Sequence, residues 1–166
     1  MSGLLSAQEV IRKHQTSAPV QTVEIAQEMG IKVYKAKDWP DDVSAMIRRD
    51  ENGGPSGFAI YVNAKHARTR RRFSVAHEIA HYALHESLIG DGVTDDALYR
   101  SKLSSAIEVQ ANRMAAEILM PWHLINAAMA EGVNTVETLA RRFDVSKSTM
   151  SIRLGVPYEV DEVAAA

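Results

Sequence analysis

The chain of 166 residues carries 19 basic and 21 acidic side chains, a net charge of -2, and 46% hydrophobic residues. That length and apolar content suit one buried core in one domain, and the near-neutral balance excludes a global pull toward nucleic acid. It has no cysteine, so disulfides and thiolate metal sites are excluded and any metal has to be held by histidine and carboxylate, which suits a reducing cytosol.

The opening Met1-Ser2-Gly3-Leu4-Leu5-Ser6 lacks the basic segment and long apolar run of an export signal. No later stretch approaches about 18 apolar residues, so a cytoplasmic protein without a membrane span is expected. Residues 8–14 and 22–29 read as short helices, the second closed by Gly30. Apolar and polar residues then alternate over 31–36, the pattern of a half-buried strand, before a break at 38–42 that contains Pro40. Two further strands, 43–48 and 58–62, flank a glycine-rich turn at 50–57. Together they predict a small antiparallel sheet of about three strands.

From residue 64 the period changes. Phe73, Ala76, His77, Ala80, His81 and Leu84 recur at intervals of three and four, which predicts one helix with histidines on its core-facing stripe. A polar loop at 86–96 ends it. A second long helix spans 104–120, with small residues at Ala111, Ala115 and Ala116, and stops at Pro121. Shorter helices fit 122–129, 136–143 and 147–154, the last capped by Ser146. The expected fold class is α+β: a core over 1–121, a helical part over 122–157 and a tail over 158–166, with no linker long enough to divide the chain.

The chemistry concentrates in His77-Glu78-Ile79-Ala80-His81. Four residues is slightly more than one helical turn, so both imidazoles face the same way and can grip one ion. Glu78 lies about 100° around the helix from His77, placed to reach a water on the metal and accept its proton. Catalytic zinc needs a third protein ligand and an open fourth position. His85 sits one turn beyond His81, roughly 6 Å along the axis, too far to close the same sphere, and is expected as a packed or supporting histidine. Glu108 on the second long helix is the better choice, because Asn112 shares its face and can accept the free ring N–H of a liganding histidine; Glu117 is the runner-up. Zinc suits this donor set best, and iron or manganese also fit it.

At this point the sequence resembles the ImmA/IrrE family of metallopeptidases over most of its length. The likeness is carried by residues 25–33, 59–63, 70–82 and 108–121, the last two holding Arg72-Phe73-Ser74-Val75-Ala76-His77-Glu78-Ile79-Ala80-His81 and Glu108-Val109-Gln110-Ala111-Asn112. Met114 stands where the family commonly has an aromatic residue. The resemblance implies a zincin-like fold, with the sheet packed on the active-site helix and the second long helix, and implies that Glu108 is the third ligand. It further implies zinc-dependent cleavage of a partner protein, a helix-turn-helix repressor of the Xre type or an antitoxin, in a stress response, mobile-element induction or a toxin-antitoxin pair.

Strand 58–62 is expected to receive an extended substrate by strand addition. Tyr82, Tyr99 and His123 stand as alternative donors to the oxyanion. Residues 139–154 resemble a helix-turn-helix with Ser146 opening the second helix. The basic run 65–72 begins a helix, where positive charge opposes the helix dipole, so some of its arginines are expected to pair with acidic groups or a partner. Arg70, Arg71, Arg72, Lys147 and Arg153 are accordingly candidate contacts to DNA or a partner, with DNA the less favoured. The rival to the enzyme is a regulatory binding module that holds DNA or a partner without cutting it.

Overall fold

The computed structural model describes residues 6–89 and 105–157. Helices α1 (Ala7–Lys13) and α2 (Thr22–Glu28) lead into strands β1 (Lys32–Ala36), β2 (Ala45–Arg49) and β3 (Phe58–Asn63). Helix α3 (Arg68–His85) follows and closes in a tight turn at Glu86–Leu88. Beyond it come α4 (Ser105–Leu119), α5 (Trp122–Ala130), α6 (Val136–Phe143) and α7 (Lys147–Leu154). The elements match the periodicities to within a residue or two, while residues 90–96 of the predicted loop, Ser104, Tyr99 and the 158–166 tail lie outside the described residues. Among the described residues no helix is long and apolar enough to cross a membrane.

Local chemistry explains most boundaries. Ser6 caps α1 in a reciprocal box, its hydroxyl accepting from the Glu9 backbone at 3.2 Å while the Glu9 carboxylate accepts from the Ser6 backbone at 3.1 Å. Ser146 accepts from the Thr149 backbone N–H at 3.0 Å and so opens α7. Gly30 ends α2 at a φ of 81°, and its carbonyl accepts from the Ser56 backbone at 3.0 Å. A Cβ at Gly54 would lie 2.1 Å from that same carbonyl, so the turn before β3 packs backbone against backbone on the end of α2 and only glycine fits there.

The strands lie in the order β1-β3-β2. β2 runs antiparallel to β3 with Ile47 opposite Ile60, whereas β1 runs parallel to β3 with Val33 opposite Ile60. The sheet is therefore mixed rather than wholly antiparallel, within the α+β arrangement expected. β3 is the most apolar strand and is buried at Phe58, Ala59, Ile60 and Val62, so it occupies the centre; residues 37–44 carry the chain from β1 past β3 to the far edge before it reverses. This placement also corrects the strand-addition site. β3 has neighbours on both sides, and among the described residues the free edges belong to β1 and β2.

Helix α3 packs on the sheet and most extensively on α4. Ala76 and Ala80 of α3 and Ala111 and Ala115 of α4 are all fully buried, and their small side chains let the two backbones approach closely. The core runs continuously from Val10 through the sheet to Phe143 and Met150, so α6 and α7 share the core with the sheet and α3.

The end of the β2–β3 hairpin is tied by Asp50. Its carboxylate accepts from the Tyr61 hydroxyl, from the Asn52 backbone N–H at 2.9 Å and from Arg48 Nε at 3.0 Å. The Tyr61 hydroxyl first, then the Asn52 N–H and Arg48, hold this carboxyl below the usual carboxylate range. A depressed folded pKa contributes stability that is fully present above the unfolded value, about 3.9, and is lost as pH falls through the folded one. Asp50→Asn is expected to cost about 1–2 kcal/mol at neutral pH. Chemical denaturation at a series of pH values should show the gap to wild type closing only below about pH 4.

Candidate metal centre

Three side chains from two helices converge on one point. His77 Nε2 lies 3.0 Å from one Glu108 oxygen and His81 Nε2 3.4 Å from the other. The two Nε2 atoms are 3.1 Å apart. Ligand atoms at the corners of a tetrahedron with zinc bonds of 2.0–2.1 Å would be separated by about 3.3 Å, so the spacing fits such an ion. His81 is fully buried, His77 nearly so, and Glu108 about one third exposed, which leaves the carboxylate side open.

The hydrogen bonds behind the imidazoles decide which nitrogens face that point. His77 Nδ1 is 2.8 Å from Asn112 Oδ1; an amide oxygen only accepts, so Nδ1 carries the proton and Nε2 presents its lone pair. His85 Nε2 likewise donates to Gln110 Oε1 at 2.9 Å. The other His85 nitrogen is then an acceptor, and at 3.1 Å it takes the Nδ1 proton of His81. His81 is thereby left with its Nε2 lone pair directed inward. Two imidazole lone pairs and a carboxylate repel one another unless a cation lies between them, and this is the donor chemistry of a divalent metal site.

Gln110 could not be found from spacing, because its contact with His85 depends on how α3 and α4 cross. Ser74, buried and lining the cleft, was missed in the sequence, although it precedes His77 by three and Glu78 by four residues and so shares their face.

Glu78 is fully buried and lines a 360 Å³ cleft beside the centre. Val43, Ser44 and Ala45 at the start of β2 form one side, and Phe73, Ser74 and His77 of α3 the other, with Asn112 behind. The free edge of β2, not β3, therefore borders the cleft. Neither Tyr82 nor His123 lines it. Tyr82 packs edge-on against Phe58 at 5.3 Å between ring centres, and His123 Nε2 lies 2.7 Å from the Gln15 carbonyl, so both are used in packing and are withdrawn as oxyanion donors.

Each of the candidate basic residues has a partner within the chain, Arg70 and Lys147 at the surface. Arg70 donates to Ser44 Oγ at 3.1 Å and Arg71 to the His66 carbonyl at 2.7 Å. Arg153 donates to the Met120 carbonyl at 3.0 Å and lies 4.8 Å over the Trp122 ring. Lys147 is 3.8 Å from Glu137. Arg72 is buried and is corrected as a surface contact: its guanidinium binds the carbonyls of Val20 at 2.9 Å, Asp144 at 3.0 Å and Phe143 at 3.3 Å. Burial pushes its pKa down, with the Asp144 carboxylate opposing. Asp144, at a left-handed φ of 56°, forms the turn between α6 and α7, and Arg68 grips the same carboxylate at 2.7 Å. These pairs offset the unfavourable charge at the start of α3. Arg72→Met strands three carbonyls and is expected to cost about 3 kcal/mol, read by chemical denaturation.

With this geometry in place, comparison with known proteins is informative. Residues 26–155 match the Peptidase M78 family model, described as an IrrE N-terminal-like domain. Over 109 residues the chain is 34% identical to the radiation response metalloprotease IrrE of Deinococcus deserti, a match covering 63% of this chain and 38% of that protein. A solved structure described as a Mycobacterium tuberculosis transcriptional regulator superposes with a TM-score of 0.62 at 18% identity, over 94% of this chain and 47% of that one. The chain thus spans less than half the length of either relative, and the structural likeness speaks for the fold alone. The family match, which includes α3, α4 and the α6–α7 pair, establishes that the chain belongs to the Peptidase M78 family of IrrE N-terminal-like domains.

Proposed function

We propose that the chain is a zinc-dependent endopeptidase that hydrolyses a peptide bond in a regulatory partner, a helix-turn-helix repressor or an antitoxin. The observation that carries this is the convergence of two imidazole lone pairs and the Glu108 carboxylate beside a buried Glu78 in an open cleft. His77, His81 and Glu108 hold the ion, and Asn112 and His85 set the two ring tautomers. When bound, zinc supplies Lewis acidity to water and to the scissile carbonyl. Glu78 accepts the proton of the attacking water and delivers it to the leaving amine. An extended substrate aligned on the free edge of β2 supplies backbone hydrogen bonds and leaves specificity to side-chain pockets. The chain acts as one domain, with the α6–α7 pair part of the peptidase.

The test incubates the zinc-loaded protein with candidate helix-turn-helix repressors, beginning with any encoded in the neighbouring genes, and reads fragments by mass spectrometry, with chelated protein and Glu78→Gln as controls. Cleavage at one bond, lost in both controls, supports the enzyme. An intact repressor that nevertheless binds the chain would favour the non-catalytic module.

A further inference from the structure

Helix α7 contributes nothing to the metal centre, yet it forms one wall of a second groove beside it. We infer that this groove is the recognition wall of the candidate active site. It seats a large apolar side chain of an extended protein substrate close to the scissile bond, with an acidic neighbour. The inference rests on the peptidase reading and adds to it the class of segment that is cut.

The groove, of 590 Å³, shares Phe73 and Asn112 with the cleft that holds His77 and Glu78. Asn112 is itself 2.8 Å from His77, so the groove begins one hydrogen bond from the candidate metal ligands. A chain lying along β2 and across the centre continues into it. Its lining is formed by Phe73 of α3, Arg113 and Ala116 of α4, and Thr149, Ile152 and Arg153 of α7. Ile152 is 80% exposed, and a branched apolar side chain with that much surface beside Phe73 gains most by covering an apolar group. Arg113 is exposed on α4 and supplies a charge suited to a carboxylate.

Protein rather than DNA is the occupant because α7 is poorly equipped to anchor phosphates. Of its two cations, Arg153 lines the groove with its Nε bonded to the Met120 carbonyl and its guanidinium over Trp122, and Lys147, half exposed, lies 3.8 Å from Glu137. The turn into α7 is held against α3 by Arg68 and Arg72. A DNA-reading helix needs free cations and an unencumbered turn.

Zinc-loaded wild type, Ile152→Asp and Arg113→Glu would each digest a proteome-derived peptide library, with the cut ends sequenced by mass spectrometry. Wild-type products should share a large apolar residue at one fixed position near the cut, with Asp or Glu adjacent. Ile152→Asp should lose the apolar preference and lower kcat/KM for the best peptide about tenfold, through KM, at unchanged zinc content. Arg113→Glu should lose only the acidic preference. Variants that keep the wild-type profile would overturn the inference while leaving the peptidase reading standing. A wild type that cuts no peptide would remove the reading and the inference with it. Binding of a fluorescent DNA duplex that Ile152→Asp weakens would reassign α7 to DNA and overturn the inference as well.

Discussion

Glu78→Gln is expected to lower the cleavage rate by about 10²- to 10⁴-fold, the usual contribution of a positioned general base, while leaving zinc content unchanged. The amide matches the carboxylate in shape but cannot accept a proton from water. Glu78 stands outside the group formed by His77, His81 and Glu108, so the ion should be retained. Its full burial implies that any other replacement risks the packing of α3, which makes glutamine the informative choice. Native mass spectrometry of the loaded variant, beside fragment yield from the repressor, separates loss of chemistry from loss of metal. Undiminished cleavage by Glu78→Gln would remove Glu78 as the base.

Features written in one short segment were legible in the sequence. The α7 boundary follows from Ser146, and the shared face of His77 and His81 from one helical turn. Strand order was not, because it depends on which strand buries most surface; β3 took the centre and changed both the sheet's character and the edge open to a substrate. Helix spacing favoured Glu108 over Glu117 as the third carboxylate because Asn112 shares its face, and the family likeness agreed. The structure brings Glu108 to the histidines. Arg72 illustrates the opposite limit. In sequence it is one arginine of a basic run, and only the passage of residues 20 and 143–144 across the start of α3 reveals three carbonyls waiting for it. His123 failed as an oxyanion donor for the same reason, its Nε2 being engaged by the Gln15 carbonyl, while Tyr82 packs its ring against Phe58 away from the cleft.

Glu108→Ala should weaken zinc binding by more than the roughly 10–100-fold expected for removing an outer partner such as His85. The reasoning rests on what each change leaves behind. Without Glu108, the two inward lone pairs of His77 and His81 remain, but the ion loses its only anionic protein partner in the group and one of three donors. Without His85, all three donors stay and only the proton on His81 Nδ1 loses its acceptor. That imidazole can then turn or change tautomer, which costs affinity without abolishing the site. Competition against a chelator of known affinity would order the variants as wild type, His85→Phe, then Glu108→Ala. Folding should move the other way for Glu108: removing a carboxylate that needs a cation between it and its neighbours leaves the metal-free protein no less stable by chemical denaturation. Equal affinities for all three proteins would exclude this cluster as the metal centre and return Glu117 to consideration.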